Sequence, residues 1–308
     1  MKRVLLFALV LAILISLPSC LNPKKSDGEG YTFTDDLGRS VTISEDDKIA
    51  ACHASFADCW LLSGGKLVGV TADAVEDHGL DVGDAKIIGS AKTVNKELLL
   101  SSGATVALLS ADLVAHRELE EQLEDVGVKC IYFKVDTFED YSRVMKHMTA
   151  VTGRDDLYKT NVSDVADRIS AIREKIPQNE NRTLLLMRAY SSGIKAKRDD
   201  NLAGMILNEF GLRNIADSHP SLLENVSLEY IVQTDPDVIF VLTMGSEESA
   251  LAYLKSNLEN NTAFSSLSAV KSGRYHVLTK ELFHYKPNER WDESYEYLAR
   301  ILYPEIFG

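Results

Sequence analysis

Arg188 and Tyr190 come directly after the apolar run Leu184-Leu185-Leu186-Met187. A guanidinium at the end of a buried strand can clamp carboxylate or catecholate oxygens, because its planar fork meets two oxygens at once. An ion pair with an aspartate across the same site is the competing use of that charge. Farther along, Phe283-His284-Tyr285 and Trp291 offer rings that stack on a flat ligand and an imidazole suited to an axial position on iron. Aromatics so near a C-terminal helix serve equally well as core. No enzyme motif accompanies them: the chain has no Gly-x-Ser-x-Gly elbow, no phosphate-cradling Gly-rich loop and no His-Glu-x-x-His. The seven histidines (53, 78, 116, 147, 219, 276 and 284) show no metal-ligand spacing, so a zinc or manganese carrier would have to gather His53, Asp73 and His284 from distant segments.

The elements that position these residues can be read from pattern. Residues 94–109 lie over residues 226–241 without a gap at an offset of 132. Each copy has a polar cap (Asn95 or Ser227), a short helix with Glu97 or Glu229 in its first turn, a turn, and a run of apolar residues that reads as a buried strand. One unit used twice suggests two similar lobes. Around it, residues 31–43 alternate about an Asp-Leu-Gly turn as a hairpin, and strands at about 48–52, 67–73, 105–109 and 128–133 alternate with helices at 56–62, 96–101 and 114–126. Residues 155–176 hold no Gly or Pro, carry Asp155-Asp156 at their start, and place Tyr158, Val162, Val165, Ile169, Ile172 and Ile176 on one stripe ended by Pro177. A helix of that length spans roughly 33 Å, enough to cross two lobes. A second set of strands and helices then runs from residue 183 to the C-terminus.

The expected fold is therefore α/β: two lobes, each a parallel sheet flanked by helices, bridged by one long α-helix. Its divisions are an N-terminal lobe at 31–153, the bridge at 154–177 and a C-terminal lobe at 178–308. Ligands of parallel α/β sheets sit outside the carboxyl ends of the strands, and facing lobes turn those ends towards one cleft. This marks His53, Ser55, Phe56, Asp73, Ser110 and Asp112 in the first lobe. In the second it marks Arg188, Tyr190, Thr243, Met244, Phe283, His284, Tyr285 and Trp291.

The 308 residues are 45% hydrophobic and 26% charged, which suits two domains, and the net charge of -13 speaks against a binder of nucleic acid that works by neutralising phosphates. Lys2 and Arg3 precede an apolar run to Leu17, then Pro18-Ser19-Cys20, the order of a secretory signal at residues 1–19. Leu17-Pro18-Ser19-Cys20 also resembles a bacterial lipobox, with Cys20 as the lipid-bearing mature N-terminus and residues 20–30 as a flexible tether. Of Cys52, Cys59 and Cys130, the first and last could pair if their strands were neighbours; small buried thiols are the plainer reading, and Cys52 with His53 is a conceivable metal pair.

Taken in order, the hairpin at 33–41, Leu67-Val68-Gly69-Val70-Thr71, Ile88-Gly89 before Val94-Asn95-Lys96-Glu97, Val226-Ser227-Leu228-Glu229 before Asp235-Pro236-Asp237, and residues 267–275 before Val277-Leu278 resemble the iron-siderophore, haem and cobalamin class of ABC-transporter substrate-binding proteins. The first lobe departs from the family in carrying Ser-Ser-Gly-Ala-Thr in place of Pro-Asp, and Ile49-Ala50-Ala51-Cys52-His53 in place of the usual opening. The resemblance implies a monomeric, non-enzymatic protein outside the cytoplasm, on the outer face of the membrane or in a periplasm, held to the membrane by lipid on Cys20. It implies no permanent cofactor, a transported iron(III)-siderophore, with haem or cobalamin as the alternatives, and an ABC permease met by Glu97 and Glu229. A sensing or adhesion role without a permease is the remaining rival.

Overall fold

The computed structural model describes residues 30–224 and 226–308. The signal segment 1–19, Cys20 and the tether up to residue 29 lie outside the described residues. Strands β1 (Tyr31–Thr34) and β2 (Ser40–Ile43) form the expected hairpin, with Tyr31 opposite Ile43. Its turn is built on Asp35, whose carboxylate is fully buried and accepts from the backbone N–H groups of Leu37 (3.0 Å) and Arg39 (2.9 Å) and from the Arg39 guanidinium (2.8 Å). Arg39 in turn donates to the Cys130 carbonyl at 2.6 Å and lies over the Tyr132 ring, fastening the hairpin to the first sheet.

That sheet comprises β3 (Ile49–Ala51), β4 (Leu67–Val70), β5 (Lys86–Ile87), β6 (Val106–Ser110) and β7 (Lys129–Phe133). They are parallel throughout, in the order β5-β4-β3-β6-β7. Helix α1 (Ala54–Leu62) links β3 to β4 and ends at Gly64, which has φ +84°. The neighbouring Gly65 lies so close to Trp60 that a Cβ there would stand 2.2 Å from the indole ring. Two expectations need correction. Strand β4 stops at Val70 and residues Ala72–Glu76 are helical, so Asp73 lies in a helix's first turn. The helix expected over 114–126 is two short ones, Val114–Glu118 and Glu120–Glu124, and at the break the His116 carbonyl accepts from the Tyr132 hydroxyl (2.9 Å) and from the Leu119 N–H (3.3 Å).

Helix α2 (Phe138–Thr152) starts on a capping box between Thr137 and Asp140. The chain then leaves the first lobe through α3, helical over residues 155–173 with one π turn at Lys159–Ser163. The stripe is as read, with Val162, Val165, Ile169 and Ile176 buried, but the π turn carries an extra residue that a uniform period does not reveal. Helix α3 packs along the C-terminal helix α4 (Trp291–Leu302), where Arg168 pairs with Asp292.

The second sheet has β8 (Thr183–Tyr190), β9 (Gly193–Ala196), β10 (Arg213–Asn214), β11 (Val238–Thr243) and β12 (Tyr275–Val277), in the order β9-β8-β11-β12 with β10 beside the start of β8. It is not wholly parallel: β9 doubles back on β8 through Ser191-Ser192, pairing Tyr190 with Gly193. The internal repeat survives in detail. Asn95 and Ser227 both cap their helices through the side chain, and the equivalent residues Gly103 and Asp235 both take left-handed backbone (φ +78° and +46°) before strands β6 and β11.

Alternate residues of each central strand face different cores. Val106 and Leu108, with Leu184, Leu186, Val238 and Phe240, belong to one apolar cluster that runs through both lobes and includes α3 and α4. Ala107 and Leu109 face an outer core of the first lobe, and Leu185, Met187, Ile239 and Val241 one of the second. Cys52, Cys59 and Cys130 are free and buried, and the Cys52–Cys130 pairing fails because β6 lies between their strands. Burial pushes the Cys130 thiol up to about 12 and raises those of Cys52 and Cys59 as well, so all three are protonated.

Asp35→Ala leaves two backbone donors of the turn without their acceptor and the Arg39 guanidinium with only Glu120, Glu124 and the Cys130 carbonyl. It should lower the unfolding free energy by about 3 kcal/mol, read from the urea midpoint; a loss below about 1 kcal/mol would show that the hairpin is not anchored through this carboxylate.

Candidate functional site

Strands β8 and β11 end side by side, joined by a 2.9 Å hydrogen bond from the Met244 N–H to the Ala189 carbonyl, and this places Arg188 and Met244 at one mouth. They open on a cavity of about 590 Å³ between the lobes. The first lobe contributes Lys134, Asp136 and Thr137, from the segment that follows β7; the second contributes Phe283, His284, Tyr285, Lys286 and Trp291. The lobes touch around it, with the His78 and Tyr285 rings 4.6 Å apart.

The lining is unevenly committed. Lys134 and Lys286 both reach Asp136, at 3.0 and 3.3 Å. Arg188 makes no ion pair among the described residues, so the alternative of an aspartate across the cleft is not realised, and its Nε is buried without a hydrogen-bond partner. Trp291, 1% exposed, also keeps a buried Nε1–H without an acceptor. Unpartnered buried donors are costly, and a ligand bearing anionic oxygens would satisfy them. His284 is pushed down to about 4 by burial and by the charges of Lys280 and Arg188, so its imidazole is neutral at physiological pH.

Of the residues marked from sequence, Arg188, Met244, Phe283, His284, Tyr285 and Trp291 meet on this cavity. The other eight do not line it: Ser55 meets His53 in the cap of α1, Asp112 pairs with Lys134 at 3.4 Å, Thr243 ends β11, and the remaining five are held as follows. His53 caps α1, its Nδ1 3.0 Å from the Ser55 hydroxyl, and burial lowers it to about 4. Phe56, 3% exposed, packs edge-on against Phe133 in the shared core. Asp73 begins the short helix after β4, and Tyr190 forms the turn into β9. Ser110 accepts from the Asp112 N–H at 3.3 Å while its own N–H donates to His116 Nδ1 at 2.8 Å. No group of three or more His, Cys, Asp or Glu among the described residues could hold a metal ion, so His53, Asp73 and His284 do not assemble into one.

The sequence reading passed over Lys134, Asp136 and Lys286. The strand-end rule applied to β7 would have found the first two. Asp200, Asn201 and Met205 also line the cavity, and they follow the antiparallel β9, an element the sequence pattern did not reveal. A larger space of about 1020 Å³ lies between the hairpin, α2 and α3, behind a wall made by Phe138 and Trp291 with ring centroids 5.9 Å apart. It is away from the strand ends, and its Arg143 and Arg173 are already paired with Asp36, Asp140 and Glu209.

Below the cleft the lobes are clamped by Asn288. It is 1% exposed, has φ +49°, and donates to the Ser55 carbonyl (3.1 Å) and to Asp58 (2.7 Å). Glu289 follows it, raised to about 7 by burial and by the Asp58 carboxylate, and burial raises Asp58 as well. No helix among the described residues is long and apolar enough to cross a membrane.

Comparison with known proteins gives a family match, a curated relative and two solved structures. The family described as periplasmic binding protein matches residues 49–282. The Fe(3+)-citrate-binding protein YfmC of Bacillus subtilis is 20% identical over 89% of this chain and 88% of its own. Among solved structures, the petrobactin-binding protein YclQ of Bacillus subtilis superposes with a TM-score of 0.69 at 17% identity, over 91% of this chain and 99% of that one. SirA of Staphylococcus aureus, complexed with staphyloferrin B, gives 0.68 at 17% identity over 88% and 98%. At these identities the structural matches establish the two-lobed α/β fold.

The folded protein holds the Glu289 proton up to about pH 7, whereas the unfolded chain releases it near the ordinary carboxyl value. The stabilisation is therefore complete in acid and is lost as pH rises through 7. Glu289→Gln stays neutral throughout. Its Tm should match the wild type at pH 4 and exceed it at pH 8 by roughly 2–4 °C, about 1 kcal/mol. Taking the difference between the two proteins cancels His53 and His284, whose lowered values act in the opposite direction. A difference independent of pH would mean that Glu289 is ionised in the folded state.

Proposed function

The chain belongs to the periplasmic binding protein family, and we propose that it captures an iron(III) chelate outside the cytoplasm and delivers it to the permease of an ABC importer. The observation that carries this reading is Arg188, a guanidinium at the end of β8 that has no ion-pair partner, and whose buried Nε has no acceptor, among the described residues, in a cleft that also holds Lys134 and Lys286. In a protein of net charge -13, such a site favours an anionic, oxygen-rich ligand. The Fe(3+)-citrate-binding and petrobactin-binding relatives support the same class. A second reading, haem or a corrinoid, rests on His284: a neutral imidazole on the cleft wall beside Tyr285 could serve as an axial ligand.

In this reading residues 31–153 and 178–308 act as the two lobes and 154–177 as the strut between them, while Cys20 carries the lipid that keeps the monomer at the membrane. Glu97 and Glu229 are the permease contacts. Both are exposed in helix first turns at equivalent points of the repeat, and exposed apolar side chains, Leu98 and Val232, share those helices. Two separated charges fix orientation as well as speeding encounter.

Protein purified from its native host should show a broad ferric charge-transfer band and no Soret band. Arg188→Ala should weaken ferric citrate binding about 10- to 100-fold by titration calorimetry. A Soret band would replace the chelate with haem, and a melting temperature raised only by zinc or manganese would remove both. Reversing Glu97 and Glu229 to lysine together should abolish uptake in cells while leaving chelate affinity intact. Loss of affinity in that double variant would move them from the permease face to the ligand.

A further inference from the structure

Asp136 stands between the two lysines of the cleft, 3.0 Å from Lys134 on its own lobe and 3.3 Å from Lys286 on the other. Among the described residues its carboxylate has no other partner. The helix that follows is capped by Thr137 and Asp140 and takes nothing from the Asp136 side chain. The group is half exposed, as are Lys134 and Lys286 in large part. Ion pairs so open to solvent contribute little to stability, so neither the fold of this loop nor its position depends on the contact. What the carboxylate does is pair with two of the three basic side chains that line the cavity, Lys286 and Lys134, the latter shared with Asp112 at 3.4 Å, while Arg188 makes no ion pair among the described residues.

We propose that Asp136 is a resident counter-ion, displaced by a carboxylate of the incoming ligand, and that it makes the cleft selective for polycarboxylate ferric chelates. The inference rests on the chelate reading of the cleft and narrows it. Ferric dicitrate, in which each citrate holds the iron through its hydroxyl and two carboxylates, keeps two carboxylates free: one engages Arg188, and the other takes over Lys134 and Lys286 as Asp136 swings towards solvent. A neutral ferric trihydroxamate has nothing to exchange for Asp136 and meets its negative charge unchanged. Because Lys286 belongs to the second lobe and Lys134 to the first, the exchanged carboxylate also ties the lobes together through the ligand.

The test is titration of the wild type, Asp136→Asn, Asp136→Ser and Lys286→Gln with ferric citrate and with a neutral ferric trihydroxamate, at low and at physiological salt. Removing the resident charge should tighten ferric citrate about three- to tenfold at low salt, with a steeper salt dependence, in both Asp136 variants. Lys286→Gln should weaken it, and the trihydroxamate should be indifferent to all three changes. Asp136 variants that bind ferric citrate as the wild type does, or more weakly, would overturn the counter-ion role while leaving the chelate reading standing. A wild type that binds neither chelate would overturn that reading, and this inference with it.

Discussion

The lobes of this protein are not independent bodies joined by a linker; they share a core. A single apolar cluster runs from Phe33 and Val106 in the first lobe, through Val165 and Ile169 of the long helix, to Leu186, Phe240 and Leu298 in the second. Separating the lobes would expose that surface to water, at a cost that scales with its area. Asn288 adds direction to this adhesion, since its two hydrogen bonds to α1 hold in only one relative placement. Helix α3, packed along α4, adds to the contact that holds the lobes in this placement.

The same constraint shapes the cleft. Strand ends that diverge from a common core leave a gap at their carboxyl edge, and there the side chains are held at fixed separation without being packed together. Arg188 can thus remain uncommitted in a chain with an excess of acids, because β8 and β11 deliver it to a wall where none of the described aspartates pairs with it. The buried pair Asp58 and Glu289 belongs to the clamp itself, so a strongly raised carboxyl sits where the lobes meet and not on the cavity wall.

Much of the architecture was legible in the residues. The doubled unit at 94–109 and 226–241 proved to be the same capped helix, left-handed turn and buried strand in each lobe, because caps and turns are settled within a few residues. The elements that were missed have long-range causes. At the break after Glu118 a helix carbonyl accepts from Tyr132, a residue of β7 that the local sequence does not announce. The antiparallel β9 leaves only a short and weakly patterned segment after Tyr190, and with it went Asn201 and Met205 on the cavity wall.

The site divides along the same line. Sequence alone determined that Arg188, Met244 and the aromatic group from Phe283 to Trp291 fall at the ends of second-lobe elements, since hydrophobic runs mark where strands stop. It also determined the two-lobed α/β organisation and the two matched glutamates. Tertiary structure decided which strand ends face the gap. It turned Phe56 into the core, used His53 and Ser110 to cap and brace their own loops, and brought Lys134 and Asp136 opposite Lys286. The physical reason is that side-chain periodicity and capping are local, whereas the direction in which a strand's end faces is set by sheet order and by the contact between lobes, which no short stretch of sequence contains.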